Sequence, residues 1–268
     1  MDRLNPLPKG RAQLSQVLQT AGELISVEDV TTALQIDKRQ ATKLLARWNA
    51  QGWINRLRRG IYAPVALASI GQRQVLDDPW VIVPTLFGRG YIGGWTAAEH
   101  WGLTEQIFRS VCVLTTRPVR GKEKNIQGVD FFLKQIPARA IFATKPLWRG
   151  RIKVEISNPA KTIIDMLDDP TIGGGIRHVA DCLDRYVSEN KGTAEELISV
   201  AERLGNGAVF KRLGFLAERR GGPEKLIVEC RKRLSTGIAK LDPAVASRRL
   251  VKRWRVWVPR SWMETKAA

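Results

Sequence analysis

The chain has 268 residues, enough to bury a core, and the usual domain size makes two domains the working number. Its formal net charge of +18 points to a polyanionic partner, because a field of that size gathers phosphate whatever the fold beneath it. Cys112, Cys182 and Cys230 form no CxxC pair, which argues against a disulfide framework and a zinc site, and no apolar run approaches the roughly 20 residues of a membrane span.

The N-terminal MDRLNPLPKG lacks an apolar signal core, so a cytoplasmic protein is expected. The charge is uneven: 10 basic against 5 acidic residues in 1–64, 20 against 17 in 65–218, and 14 against 4 in 219–268. The ends are basic and the middle is close to neutral.

After Pro6 and Pro8, Leu14, Val17, Leu18 and Ala21 recur at three- and four-residue steps, which predicts a helix with one buried stripe ending at Gly22. Ser26 with Asp29 three residues on is close to a capping box for a second short helix, whose buried face is Val30, Ala33 and Leu34. Asp37 is placed to cap a third, from about Lys38 to Ala50, with Ala41, Leu44, Leu45 and Trp48 on its apolar face. The opposite face carries Lys38, Arg39, Gln40, Thr42, Lys43 and Arg47.

Two short helices joined by a tight turn, the second bearing cations, amide and hydroxyl, suit a major groove. Arg or Lys reaches guanine there, Gln reaches adenine, and the rest hold phosphate. Gly52 ends the third helix. A hairpin follows, with strands near Trp53–Leu57 and Ile61–Ala63 around Arg58-Arg59-Gly60. A hairpin directly after a recognition helix is a wing, which assigns Arg56, Arg58 and Arg59 to phosphate or a minor-groove edge.

Residues 65–76 read as a linker, and 77–268 as a second domain. Asp77-Asp78-Pro79 opens a helix over Trp80–Phe87, and GYIGGWTAAEHWGL (90–103) reads as a short strand and then a helix from Thr96. Arg109–Thr116, Val129–Gln135 and Arg151–Ile156 are predicted strands, separated by the turn-rich RPVRGKEKNIQG and by KPLWRG. Helices follow at 159–168 behind Asn158, at 176–188 after Gly173–Gly175, behind the capping box Thr193–Glu196, at 208–220 and at 224–234. Strands then helices without regular alternation give an α+β class: an N-terminal winged helix-turn-helix joined to a larger mixed α/β domain with an antiparallel or mixed sheet and several helices.

In the tail SRRLVKRWRVWVPRSW, Arg248, Arg249, Lys252, Arg253, Arg255 and Arg260 interleave with Trp254, Trp257 and Trp262. Cations among aromatics suit backbone neutralisation with base stacking. The plainer account is an amphipathic edge strand, Trp254, Val256 and Val258 alternating with Arg253, Arg255 and Trp257. Arg248, Arg249, Lys252, Arg253 and Arg255 are therefore further candidates for contacts to nucleic acid or a protein partner.

Catalytic chemistry finds little support. His100 and His178 have no ligand-spaced neighbours, and Gly173-Gly174-Gly175 lacks the Lys-Ser or Lys-Thr of a phosphate loop. Asp165, Asp168, Asp169, Asp181 and Asp184 lie on helices, where such residues are more often caps and solvated faces than metal ligands. No cofactor, metal or catalytic residue is expected, and no enzyme.

Five stretches, in order, resemble one family, the antitoxins of the abortive-infection AbiE type from type IV toxin–antitoxin systems. They are RLRRGIYAP (56–64), YIGGWTAAEHWGLTEQ (91–106), VEISNPAKTIIDMLDDP (154–170), KRLGFL (211–216), and LDP (241–243) ahead of the terminal RWRVWVP. The resemblance implies that the N-terminal domain binds inverted repeats upstream of its own operon and represses it, through Lys38, Arg39, Gln40, Thr42, Lys43, Arg47, Arg58 and Arg59. It also implies that the larger domain opposes a co-encoded nucleotidyltransferase toxin. Two other functions fit the residues less fully: a ligand-responsive or dimeric winged-helix transcription factor without a toxin, and a metal-dependent nucleic-acid enzyme built on the Asp cluster.

Overall fold

Gly22 ends the first helix, α1 (Lys9–Ala21), at a φ of 69° that residues with side chains rarely adopt. The computed structural model describes residues 8–22, 24–65 and 78–262. Val17 of α1 is fully buried, with Leu14, Leu18 and Ala21 packed around the same cluster. Next comes β1 (Ile25–Ser26), and Ser26 also caps α2 (Val27–Leu34). The Asp29 N–H donates to Ser26 Oγ at 3.1 Å while the Ser26 N–H donates to the Asp29 carboxylate at 2.7 Å, the reciprocal pair predicted from spacing alone. α3 (Lys38–Ala50) starts at Asp37, whose Oδ1 accepts from the Gln40 N–H at 2.8 Å.

β2 (Ile54–Arg58) and β3 (Ile61–Pro64) pair antiparallel, and β1 adds to β3 with Ile25 opposite Tyr62, giving the order β1-β3-β2. Two residues carry no period, so β1 is invisible in the sequence; only its pairing defines it. Val17, Ile25, Val30, Ala41, Leu45, Trp48, Ile54 and Tyr62 form the core of this region.

The described residues divide into two compact units. The first runs to Leu86 and takes in Asn125–Asp130 and Trp148–Val154; the second takes Phe87–Lys124, Phe131–Leu147 and the chain from Glu155 onward. The linker expected over 65–76 lies, apart from Val65, outside the described residues. Where one helix is expected over Trp80–Phe87, Pro79–Ile82 makes a 3-10 turn capped by Asp78 and only Val83–Phe87 is α-helical (α4).

A six-stranded sheet comprises β4 (Gly90–Ile92), β5 (Ser110–Thr115), β6 (Glu123–Ile126), β7 (Val129–Gln135), β8 (Thr144–Arg149) and β9 (Ile152–Ser157), in the order β6-β7-β5-β4-β9-β8. β4 runs antiparallel to β5 and parallel to β9, so the sheet is mixed. Two expectations are corrected here, because RPVRGKEKNIQG and KPLWRG, taken as turns, hold the edge strands β6 and β8. Edge strands need no buried alternating face: Glu123, Lys124 and Asn125 are exposed, and Pro146 is tolerated in β8 because an edge leaves some N–H positions unpaired. Gln127 and Gly128 turn the β6–β7 hairpin at φ 51° and 79°.

α5 (Gly94–His100) follows β4. α6 (Pro159–Asp168) is buried from Ala160 through Leu167, and α7 (Ile176–Ser188), α8 (Ala194–Leu204), α9 (Gly207–Arg219) and α10 (Glu224–Lys232) complete the helical part. The Thr193–Glu196 capping box forms as its spacing predicts.

The tail forms a second small sheet from β10 (Ala239–Lys240), β11 (Arg249–Val251) and β12 (Val256–Val258), in the order β10-β12-β11. Trp254, Val256 and Val258 point inward and Arg253, Arg255 and Trp257 outward, as alternation predicts. The expected edge strand is nevertheless wrong, since β12 is the central strand. Arg255, in the left-handed region at φ 52°, folds the chain back after Lys252–Trp254 so that β11 and β12 pair. The whole is a mixed α+β architecture.

Trp254 lies fully buried against α9, where Gly214 leaves room for its ring. A methyl group there would come within 2.1 Å of the indole carbon Cζ3. Gly214→Ala should gain about 1 kcal/mol of helix propensity but lose about 1–3 kcal/mol to overpacking, a net fall in the unfolding midpoint measured by urea titration. A midpoint at or above wild type would show that the ring yields freely.

Candidate nucleic-acid interface

The orientation of α3 is fixed at its start and along one side. Asp37 holds its N-terminus, and Ala41, Leu45 and Trp48 anchor its inner face at zero exposure. Lys38, Arg39, Gln40, Thr42, Lys43 and Arg47 consequently all lie exposed. The Thr42 hydroxyl donates back to the Lys38 carbonyl at 2.7 Å, so it faces a partner as an acceptor.

The β2–β3 hairpin is coupled to α3 through Asn49, whose Oδ1 accepts from the Arg56 N–H at 3.0 Å. Its register shifts between Arg56 and Arg58, a bulge that leaves Arg56, Arg58 and Arg59 all exposed, and Gly60 closes the turn at φ 80°. Among the described residues, no carboxylate lies within ion-pairing reach of Lys38, Arg39, Lys43, Arg47, Arg56, Arg58 or Arg59. The acids nearest in sequence, Asp29 and Asp37, are engaged with backbone N–H groups at helix starts. A row of cations left uncompensated in this way can neutralise phosphate, and the Gln40 amide among them can donate and accept at a base edge.

Of the tail candidates, Arg248, Arg249, Lys252, Arg253 and Arg255 are all exposed. Arg253 pairs with Glu218 at 2.7 Å, and the Arg255 guanidinium donates to the Ser235 carbonyl at 2.8 Å. The alternative reading of the tail, aromatics stacking on bases, is narrowed to one residue: Trp254 and Trp262 belong to the core, the indole N–H of Trp254 donating to Glu218, and Trp257 alone of the three is accessible, at 38%.

The residues weighed for catalysis are engaged elsewhere. His178 is buried between the Gly173 carbonyl (2.6 Å from Nδ1) and the Thr104 hydroxyl (2.8 Å from Nε2). Asp168 and Asp169 share Lys134 at 3.0 and 3.3 Å, Asp181 and Asp184 share Arg220 at 2.8 Å each, and Asp165 pairs with Lys161. The N-terminus of α7 after the glycine run accepts Asp242, whose Oδ2 takes the Ile176 N–H at 3.0 Å. Sequence spacing gave no hint of this cap, which joins residues 66 apart. Burial pushes the Cys182 and Cys230 thiols up to about 12, and Cys112 up as well, so none is a thiolate near neutral pH.

No helix among the described residues is long and apolar enough to cross a membrane. No protein-family model and no curated protein matches the chain. Among solved structures, the crystal structure of the RV2827C protein from Mycobacterium tuberculosis is similar to it, with a TM-score of 0.65, 14% sequence identity, and coverage of 95% of this chain and 93% of that one. At that identity the likeness is one of fold.

Proposed function

We propose that this protein is a DNA-binding antitoxin and autorepressor acting in the cytoplasm. Residues 1–64 act as a winged helix-turn-helix on inverted-repeat promoter DNA, and the larger C-terminal domain opposes a co-encoded nucleotidyltransferase toxin. The observation that carries the DNA half is the run of exposed, uncompensated cations along α3 and the β2–β3 turn. α3 enters the major groove with Lys38, Arg39, Gln40 and Thr42 toward base edges, the Thr42 oxygen accepting there, and with Lys43 and Arg47 toward phosphate, while Arg56, Arg58 and Arg59 follow the adjacent backbone. The antitoxin half rests on the resemblance of the five sequence stretches to the AbiE-type antitoxins. No catalytic role is assigned to the chain.

Two measurements test the two halves separately. The purified protein should bind the fragment upstream of its own reading frame in preference to scrambled duplex, and repress a reporter driven by it. Absence of any preference would remove the repressor reading. Co-expression with an adjacent nucleotidyltransferase frame should restore growth that the frame alone arrests. A neighbourhood with no such frame, alongside intact promoter binding, would leave a transcription factor without a toxin.

A further inference from the structure

The cations that follow α9 fall into two sets. Those on helices or at their ends are paired: Arg220 with Asp181 and Asp184, Lys225 with Glu195, Arg231 with Glu218, Lys232 with Glu229, and Arg233 with Glu202 and Glu229. Those on and beside the small C-terminal sheet are mostly not. Among the described residues, Lys240, Arg248, Arg249 and Lys252 have no carboxylate partner, and the Arg255 guanidinium bonds a neutral carbonyl. Among the described residues, the basic charge left without a carboxylate after α9 is thereby concentrated on and beside one sheet.

That sheet has two unlike faces. The row Ala239, Val256 and Val251 faces the core, with Val256 fully buried. The adjacent row, Lys240, Trp257 and Leu250, faces outward, with Trp257 in the centre at 38% exposure and the aliphatic Ile238, 56% exposed, two residues before Lys240. An indole flanked by a leucine at cross-strand distance and rimmed by cations presents a π-face beside phosphate-binding groups. Arg255 is held in place, because Ser235, whose carbonyl it bonds, is itself bonded through its hydroxyl by the Lys211 ammonium at 2.7 Å.

We propose that this outer sheet face binds single-stranded nucleic acid, with Trp257 stacking on an unpaired base and Lys240, Arg248, Lys252 and Arg255 holding the phosphates. None of these residues is among those assigned to duplex on α3 and the β2–β3 turn. Single strands fit better than duplex because stacking needs a base whose ring face is free, and in a duplex those faces are covered.

Fluorescence anisotropy on the full-length protein tests it, with labelled oligo(dT), oligo(rU) and promoter duplex as the three probes, the first two separating DNA from RNA. Trp257→Ala should weaken binding of at least one single strand roughly 5- to 150-fold, the stacking of one base, and leave duplex binding unchanged. Trp257→Phe should recover most of the loss. Lys240→Glu with Lys252→Glu should flatten the salt dependence of single-strand binding by about 1.4 in log–log slope. Arg58→Ala with Arg59→Ala should leave single-strand binding intact, which separates failure here from failure of the promoter reading. The proposal is overturned if wild type binds neither single strand at about 0.1 M salt. It is equally overturned if Trp257→Ala and the charge variant both bind as wild type, or if duplex binding falls in proportion. Loss of growth rescue in Trp257→Ala with single-strand binding unchanged would assign the face to a protein partner instead.

Discussion

Asp165→Ala is expected to lower the unfolding free energy by about 3–5 kcal/mol, a large share of a typical domain's total. Lys161 is fully buried on α6, and its ammonium has two polar partners, the Asp165 carboxylate and the Tyr91 hydroxyl at 2.9 Å, with the rings of Phe142 and Tyr91 4.8 and 5.2 Å away. Tyr91 in turn donates to Asp165 Oδ2 at 2.8 Å. Burial raises the Asp165 carboxyl pKa against the pull of Lys161, and burial followed by the Asp165 charge raises Tyr91 well above its ordinary value. The three groups are therefore balanced against one another in a dry interior. Removing the carboxylate leaves the ammonium unpaired where water cannot reach it.

The triple variant Tyr91→Phe with Lys161→Met and Asp165→Leu should recover most of the loss, because apolar groups of similar volume avoid the desolvation cost of both ions and no buried hydroxyl is left without a partner. Urea unfolding of the two variants gives the comparison. If Asp165→Ala unfolds within about 1 kcal/mol of wild type, the interior is wetter than its burial implies and the pair is worth no more than a surface one.

The second large effect concerns the proposed promoter complex. Arg58→Ala with Arg59→Ala should reduce the slope of log affinity against log salt by about two, one for each phosphate no longer neutralised, and adding Lys43→Ala should bring that to about three. Gln40→Ala should instead leave the slope unchanged and cost roughly 1–3 kcal/mol on the preferred operator alone, the signature of a base contact. Folding should be spared throughout, within about 0.5 kcal/mol, because these side chains are exposed and their removal opens no cavity. An unaltered slope in the Arg58 and Arg59 variant would take the β2–β3 turn out of the interface. A uniform loss across all sequences in Gln40→Ala would make that residue another backbone contact.

These expectations rest on features of different visibility. Ser26, Asp37, Asn158 and Thr193 announce helix starts because a cap acts over three residues, and Gly22 announces a stop for the same local reason. Exposure of the α3 cations was equally legible, since Ala41, Leu45 and Trp48 fix the opposite face by period. β6 and β8 were hidden because edge strands carry turn-like polar composition and are defined by what they pair with. The tail showed correctly which side chains alternate, but not that the chain reverses at Arg255 and makes the last strand central.

The helices, their caps and the basic character of both ends are properties of residues within a turn or two of one another, and they could be read along the chain. Which charges are compensated could not. Folding brought Tyr91 onto Lys161 and Asp165, turned Asp242 onto α7, withdrew Trp254 and Trp262 into the core, and left Trp257 and the cations around it facing water. Pairing and burial join residues tens of positions apart, and composition assigns no partner over such distances.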